Sequence, residues 1–237
     1  MGLAGVNDPD CRSADPPVLL LHGTLSTPRS NFGTLAPALR AAGRCVYALE
    51  YGARFGYGGI GPIRTSAADV ATFARRVLEV TGADQLDVVG YSQGGLVVRT
   101  MLRYDLDPGL VRVAVLVAPS YHGTTSAITT NIPSGLCPAC EDQRAGSALL
   151  TDLATGGDLA GDVRYAVLST RNDMVVTPVS SQVPQGPTDR VRSTIYEEHC
   201  SPGTDHVQLI GLRTTARWVE AALSSDGRPT GTDLGCS

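Results

Sequence analysis

A short apolar strand that runs into a Gly-x-Ser-x-Gly turn and then into a helix constrains this chain more than any other feature. The segment from Val88 to Gly95 reads VVGYSQGG. Glycines at 90 and 94 permit a turn tight enough to hold the serine in a strained backbone and to expose its hydroxyl. The motif also arises by chance in glycine-rich chains, but the helix-compatible run from Leu96 to Leu102 supplies the context it requires. Ser92 is therefore the candidate nucleophile.

Length and charge narrow the class of protein. The 237 residues suit one domain spanning 1–237, with a short lead-in at 1–16 and a polar tail at 225–237. A formal net charge of −4 and the lack of a basic run argue against a nucleic-acid partner. No apolar stretch approaches the roughly 20 residues that span a bilayer, so we expect no transmembrane segment.

The cysteines point to an oxidising compartment. There are six of them, at positions 11, 45, 137, 140, 200 and 236. An even number without a cluster of histidines favours three disulfides. The first residues lack the charged start and long apolar segment of a secretory signal. We therefore expect a secreted, extracellular protein whose signal peptide is absent from this chain.

Apolar strands alternate with amphipathic segments along the first half of the chain. This succession predicts an α/β fold with a central, mostly parallel sheet that is flanked by helices on both faces. The predicted strands are Val18 to Leu21, Cys45 to Leu49, Leu86 to Gly90, Val111 to Ala118, Tyr165 to Ser169 and Thr194 to Tyr196. The predicted helices are Phe32 to Ala41, a helix that begins with a capping box at Ser66 and ends at Gly82, the helix after Ser92, and Val207 to Leu223.

Two stretches have no usable periodicity. Glu50 to Arg64 is glycine-rich and reads as a long loop, and such loops in compact domains are usually functional. Pro119 to Asp162 reads as an irregular excursion with one short helix near Ala145 to Leu153.

A serine nucleophile needs a base to accept its proton and a carboxylate to orient that base. In this fold class the order along the chain is serine, acid, histidine. His122 comes too early for a strand-end acid to precede it, and His199 lies in a run that already carries two glutamates. His206 stands immediately before the final predicted helix, where it can reach the sheet edge. We therefore choose His206 as the base.

Asp173 is the candidate acid. It lies four residues beyond Ser169, off the carboxyl end of a predicted strand, where α/β sheets place reactive groups. The other carboxylates lack this context, and an isolated carboxylate is usually a solvated surface charge. They are Asp162, Asp189, Glu197, Glu198 and Asp205.

Acyl transfer also needs backbone N–H groups that hold the oxyanion of the tetrahedral intermediate. One donor should be Gln93, the residue after the nucleophile at the start of a helix. The second should be Thr24, in the loop after the first strand, where Gly23 permits a turn. We expect His22 to be a buried structural histidine that braces this loop.

Five blocks of the chain, taken in order, carry a family resemblance. They read LLLHGT (19–24), GYSQGG (90–95), APSYHGTT (118–125), RNDMVVTP (171–178) and DH (205–206). Together they resemble the secreted actinobacterial, Streptomyces-type lipases and esterases of the α/β-hydrolase superfamily, which are related to the minimal, lid-poor bacterial lipases. The resemblance extends from about Pro17 to Val219.

The resemblance implies an α/β-hydrolase fold with Ser92, Asp173 and His206 as the catalytic triad and Thr24 and Gln93 as oxyanion donors. Two positions depart from the family pattern. Tyr91 replaces a histidine often found before the nucleophile, and Thr204-Asp205 stands where a serine-glutamate pair is common. Neither departure touches a catalytic atom, although either can alter the pocket or the optimum pH.

The same resemblance suggests that Cys11 pairs with Cys45, Cys137 with Cys140, and Cys200 with Cys236. Six cysteines allow 15 connectivities, so the residues alone fix none of them. The Cys-x-x-Cys at 137 to 140 also has redox and zinc interpretations. We favour a structural disulfide, because the motif opens no predicted helix after a strand and no second Cys or His pair stands at zinc spacing.

The sequence thus predicts a serine hydrolase of carboxylic esters, either a triacylglycerol lipase or a carboxylesterase, that works through an acyl-enzyme without a metal or organic cofactor. Its partner is an ester or lipid substrate, with transient contact to a lipid interface, and we expect a monomer. We expect the acyl group to lie against the loops Tyr51 to Ile63 and Tyr121 to Ile132, near Val175 and Val176. The alternatives are a cutinase-like polyesterase, an acyltransferase, or a non-catalytic binding protein of the same fold.

Overall fold

One six-stranded parallel sheet organises the computed structural model, which describes residues 3–133 and 135–236. The strands are β1 (Val18–Leu21), β2 (Val46–Ala48), β3 (Leu86–Tyr91), β4 (Val111–Val117), β5 (Arg164–Ser169) and β6 (Val191–Ile195). Their order across the sheet is β2-β1-β3-β4-β5-β6, and every neighbouring pair is parallel. The predicted parallel α/β architecture is confirmed.

The connections between strands carry helices. In the described part of the chain these are α1 (Pro28–Asn31), α2 (Leu35–Ala41), α3 (Ile63–Thr81), α4 (Gln93–Tyr104), α5 (Ala127–Thr130), α6 (Pro138–Asp142), α7 (Ala148–Ala154), α8 (His206–Leu209) and α9 (Arg213–Ser224). Short 3₁₀ turns occur at Pro108–Leu110, Val179–Gln182, Tyr196–Glu198 and Gly231–Leu234.

Two apolar cores lie on the two faces of the sheet, because consecutive strand residues point to opposite sides. One core joins the sheet to α3 and α4, with Ile63, Val70 and Leu96 among its buried members. The other joins it to α2 and α9 and includes Leu39 and Trp218. The strands are covered on both faces, which explains their unbroken aliphatic runs.

The start of α3 differs from the sequence prediction. We expected a capping box at Ser66, but the helix begins at Ile63 and Ser66 lies buried inside its first turns. The carboxylate of Asp142 in α6 accepts the backbone N–H of Ile63 at 2.8 Å. A tertiary contact therefore supplies the cap that a local motif was expected to supply.

The predicted helix from Val207 to Leu223 is also wrong, because the chain forms two helices, α8 and α9, separated at Ile210 to Leu212. In this region Ile210, Thr215 and Trp218 are buried, whereas Thr214 is only partly buried. The irregular excursion, in turn, holds α5 and α6 as well as the expected helix, which is α7.

The three disulfides suggested by the family resemblance are confirmed: Cys11–Cys45, Cys137–Cys140 and Cys200–Cys236. The Cys-x-x-Cys motif caps a short helix, α6, through Cys137, but it does not open a helix after a strand, as expected. That helix does not follow a strand directly. None of the helices in residues 3–133 and 135–236 has the length and apolar character needed to cross a membrane.

Candidate active site

Ser92 lies in a sharp turn between β3 and α4, with φ 53° and ψ −120°. A positive φ is strained for a serine, and such strain persists only where the surroundings impose it. They do so here through close backbone contacts. A Cβ on Gly90 would lie 2.8 Å from the carbonyl carbon of Gly94, and a Cβ on Gly94 would lie 2.2 Å from the carbonyl oxygen of Leu21. Only glycine fits at these two positions of the motif.

Ser92, His206 and Asp173 form one chain of hydrogen bonds at the carboxyl edge of the sheet. The Oγ of Ser92 lies 3.0 Å from Nε2 of His206, and Nδ1 of His206 lies 2.7 Å from Oδ2 of Asp173. Because a carboxylate only accepts, Nδ1 carries the proton and Nε2 is free to accept the serine hydroxyl. All three residues are buried. The structure thus brings together the three side chains that the sequence selected.

Asp173 is held by further donors. The backbone N–H groups of Val175 and Val176 each donate to its Oδ1 at 2.8 Å. The side-chain amide of Gln182 donates to its Oδ2 at 2.9 Å. The carboxylate therefore has a fixed orientation toward His206.

His206 is held by its own helix and by Tyr91. His206 was expected immediately before the last helix but is the first residue of α8, and Asp205 caps that helix by accepting the N–H of Gln208 at 2.8 Å. The Tyr91 hydroxyl donates to the backbone carbonyl of His206 at 3.1 Å, and the two rings lie 5.4 Å apart. Burial, and then the charges of Asp173 and Asp205, raise the pKa of Tyr91, so its hydroxyl keeps the proton it donates.

The histidines and carboxylates that were not chosen as base or acid are not part of this chain of hydrogen bonds. His122 lies between the carboxylate of Asp158, at 2.8 Å, and the carbonyl of Ser181, at 3.0 Å. His199 packs against Gly231. Asp162 and Asp189 are exposed, Glu197 accepts from Thr170, and Glu198 pairs with Arg171. Asp205 is the helix cap described above.

The loop after β1 is braced by His22, as expected. Nδ1 of His22 donates to the carbonyl of Gly23 at 2.8 Å, and Nε2 accepts the N–H of Tyr51 at 3.3 Å. The imidazole also stacks on the Tyr51 ring at 4.1 Å. Burial lowers the pKa of His22 to about 4, against a smaller opposing effect of its hydrogen bond to Gly23. The ring is therefore neutral at physiological pH.

Thr24 and Gln93, the predicted oxyanion donors, lie on two sides of Gly59. A Cβ on Gly59 would lie 3.3 Å from the Thr24 Cα and 2.9 Å from the Gln93 Oε1. The Gln93 side chain donates to the Gly59 carbonyl at 2.9 Å, and the Thr24 hydroxyl accepts from the Gln143 amide at 3.0 Å. The glycine-rich loop that contains Gly59 thus packs against both the loop after β1 and the start of α4.

A cavity of about 260 Å³ opens in front of Ser92 and His206. Wider clefts lie elsewhere on the surface, but none of them contains these two residues. Both polar and apolar residues line the cavity. The polar set is Thr24, Ser26, Asn31 and Gln143, and the apolar set is Leu25, Tyr91, Ile128, Ile132, Cys140, Val175, Val176 and Val207.

The expectation that the acyl group lies against the loop from Tyr51 to Ile63 is therefore wrong, because none of the residues of this loop lines the cavity. The glycines of that loop bring it against the oxyanion region, and the Tyr51 hydroxyl donates to the carbonyl of His22. The loop from Tyr121 to Ile132 does contribute, through Ile128 and Ile132, and so do Val175 and Val176.

Sequence reasoning missed two supporting glutamines, Gln143 and Gln182, and the role of the Tyr91 hydroxyl. A glutamine in an irregular segment carries no periodic or motif signal, so no local pattern marks either residue. Among the described residues, no group of three or more His, Cys, Asp or Glu side chains is arranged to hold a metal ion.

Comparison with known proteins places this geometry in a family. A family model described as the alpha/beta hydrolase fold matches residues 16–136, just over half of the chain. No curated protein sequence matches the chain.

Among solved structures, lipase B of Aspergillus fumigatus is similar over 95% of this chain and 56% of its own length, with a TM-score of 0.79 and 19% identity. The esterase RhEst1 from a Rhodococcus species is similar over 90% of this chain and 92% of its own, with a TM-score of 0.58 and 17% identity. The chain thus spans little more than half the length of lipase B, and identities this low concern the fold alone. From the family model and the sheet topology, the chain belongs to the alpha/beta hydrolase fold family.

Proposed function

We propose that this protein hydrolyses carboxylic esters, as a lipase or carboxylesterase, through an acyl-enzyme formed on Ser92. The observation that carries the proposal is the unbroken hydrogen-bond chain from the Ser92 hydroxyl through His206 to Asp173, at a strained turn that opens into a cleft. A serine hydroxyl beside an imidazole that a carboxylate orients is the arrangement that acyl transfer requires.

In the proposed cycle, Ser92 Oγ attacks the ester carbonyl carbon while His206 Nε2 accepts the hydroxyl proton. His206 then returns this proton to the leaving alcohol, which breaks the ester C–O bond. Water, deprotonated by the same nitrogen, attacks the acyl-enzyme carbonyl carbon, and His206 returns that proton to Ser92 Oγ as the acyl C–O bond breaks and the acid is released. Asp173 stabilises the imidazolium that forms in each half of the cycle.

The backbone N–H groups of Thr24 and Gln93 are the proposed oxyanion donors. Gln93 is the first residue of α4, where the helix leaves its N–H groups without intrahelical acceptors. Removing one such donor typically costs about 3 kcal/mol of transition-state stabilisation. Gly59 lies between the two residues and packs against the loop that carries Thr24 and against the start of α4.

The mouth of the cleft supports an apolar, lipid-like substrate. Leu25, Ile128 and Val207 line it, yet each is more than half exposed to solvent. Met174 is 70% exposed, and its carbonyl accepts the Ser126 hydroxyl that precedes α5, so it lies beside the same rim. Exposed apolar side chains around a concave site are typical of binding surfaces. The similarity to a lipase and an esterase is consistent with this substrate class.

The test is hydrolysis of p-nitrophenyl esters from acetate to palmitate by the wild-type protein and by Ser92→Ala. Ser180→Ala serves as a matched control, since this serine is exposed in the turn Val179–Gln182. We expect activity on medium or long chains that is abolished in Ser92→Ala and retained in Ser180→Ala. Labelling by a fluorophosphonate probe should follow the same pattern.

Other outcomes separate the alternatives. Activity on acetate alone favours a small-ester enzyme or a cutinase-like polyesterase, and ester synthesis from an added alcohol in water favours an acyltransferase. Activity that survives in Ser92→Ala refutes the proposed nucleophile. A complete lack of activity and labelling favours a non-catalytic binding protein of this fold.

The proposal also covers the location and the oligomeric state of the protein. Three disulfides are compatible with an extracellular location, because such bonds persist in oxidising compartments. We propose a secreted, single-domain monomer that meets its substrate transiently at a lipid interface, without a metal or organic cofactor. Light scattering in solution measures the oligomeric state.

A further inference from the structure

Gln182 is wholly buried and its amide nitrogen faces two acceptors. Nε2 lies 2.9 Å from Oδ2 of Asp173 and 3.1 Å from the carbonyl oxygen of Val176. These two acceptors fix the orientation of the amide, because the flipped amide would set its oxygen against two other oxygens. In the described part of the chain, Oε1 of Gln182 is buried without a hydrogen-bond partner.

A buried amide oxygen without a partner is costly, and an apolar side chain of the same size would avoid that cost. What the glutamine adds in return is a donor to the Val176 carbonyl and a donor to Asp173. The second bond points to a role in the chemistry of that carboxylate.

Gln182 and His206 donate to the same oxygen, Oδ2 of Asp173. The other oxygen, Oδ1, accepts the two backbone N–H groups of Val175 and Val176. Gln182 thus completes a set of four donors that prevents the carboxylate from rotating. It also shares the negative charge that would otherwise act on His206 alone.

We propose, on the basis of the ester hydrolase function proposed above, that Gln182 is a positioning residue. It fixes the orientation of the Asp173 carboxylate and weakens the electrostatic attraction between this carboxylate and the His206 imidazolium. A carboxylate without this donor binds the imidazolium more strongly. His206 then gives up its proton less readily to the leaving alcohol, and its neutral, reactive form is populated only at higher pH.

The other ionisable groups around the pair have partners that this proposal leaves unchanged. Tyr91 donates to the carbonyl of His206, and Asp205 caps α8. Glu197 accepts from the hydroxyl of Thr170 and from the backbone N–H of Thr204. A change at Gln182 removes no hydrogen bond of these three groups.

The turn that carries Gln182 is anchored by other residues. The Ser181 carbonyl accepts both the backbone N–H and Nδ1 of His122, each at 3.0 Å, and the Ser181 hydroxyl donates to the carbonyl of Gly123 at 2.9 Å. Gln182 is not among the residues that line the cleft. Replacing its amide therefore removes the bonds to Asp173 and to the Val176 carbonyl without removing a side chain that lines the cleft.

The experiment compares wild type with Gln182→Met and Gln182→Leu, two apolar residues of different shape, and with Ser180→Ala as the control in the same turn. The pH dependence of kcat/KM is measured with p-nitrophenyl butyrate at the isosbestic wavelength of nitrophenol. We expect the acid limb to move up by about one pH unit in both apolar variants, with kcat lower by about 10-fold and KM unchanged. Ser180→Ala should match wild type.

A merely structural role predicts something different, namely lower thermal stability with an unmoved acid limb, and that result overturns the proposal. Two apolar variants are used so that loss of folding in one leaves the other. On the wild-type protein, slow deuterium exchange of a buried glutamine side-chain amide supports the bond, and exchange at the rate of a surface amide contradicts it. Full activity in Ser92→Ala would instead refute the ester hydrolase proposal, so the two failures are distinguishable.

Discussion

We expect the free energy of unfolding of this protein to depend on pH through His22, and we expect the substitution His22→Gln to remove this contribution. Its ring is fully buried, and the neutral form is required because Nε2 accepts the N–H of Tyr51. In the folded state its pKa is lowered to about 4 from the ordinary 6.5, chiefly by burial. In the unfolded chain the same ring should titrate near the ordinary value.

The sign of the effect follows from which state binds the proton. Above the unfolded pKa of 6.5 both states are neutral and the contribution of His22 to stability is fully present. As the pH falls from 6.5 toward about 4, the unfolded chain takes up a proton that the folded protein refuses, so stability is lost. A shift of this size corresponds to about 3 kcal/mol in the free energy of unfolding.

The measurement is denaturant unfolding with disulfides intact, followed by the fluorescence of Trp218, at pH values between about 7 and about 4. Other groups titrate in the same range, so the informative quantity is the difference between wild type and His22→Gln. Glutamine offers an amide NH₂ that donates and a carbonyl oxygen that accepts, but it does not titrate. We expect the variant to lose about 3 kcal/mol less than wild type over this interval. Parallel curves for the two proteins would refute the reasoning.

Two further predictions concern the cleft. Tyr91→Phe keeps the ring against His206 but removes the donor to its carbonyl, and because a neutral hydrogen bond contributes about 1 kcal/mol, we expect kcat on p-nitrophenyl butyrate to fall by about 3- to 10-fold. An unchanged kcat, or a loss as complete as that in Ser92→Ala, would contradict this role. Val176→Phe should shorten the longest accepted acyl chain, because the residue lines the cavity of about 260 Å³, whereas Val176→Ala should lengthen it. An ester series with the same preference in all three proteins would show that the acyl chain lies elsewhere.

Features that depend on strong local patterns could be predicted from the sequence. Four consecutive aliphatic residues from Val18 to Leu21 identify a strand buried on both faces, and glycines at fixed offsets around Ser92 identify the turn. The strand-end position of Asp173 and the position of His206 before the last helices selected the two residues that the structure brings to Ser92.

The remaining features depend on contacts between distant segments. The start of α3 is set by Asp142, which lies 79 residues further along the chain. The last predicted helix is divided into α8 and α9 at Ile210 to Leu212, and a periodicity that is fitted across the whole segment does not mark this break. Gln143 and Gln182 act through single hydrogen bonds to Thr24 and Asp173, and no repeat or motif marks such bonds in advance.

The separation of the reactive side chains along the chain has a consequence for the time at which activity arises. Ser92 and His206 are 114 residues apart, and the segment from Cys200 to Cys236 that contains His206 is closed by a disulfide. A ribosome therefore completes the serine turn long before the base exists. β5 and β6 must join the sheet, and α8 must dock beneath Tyr91, before the imidazole meets the hydroxyl. On the ester hydrolase function proposed above, the serine is an ordinary alcohol until that last assembly, and nascent or unfolded chains are inactive.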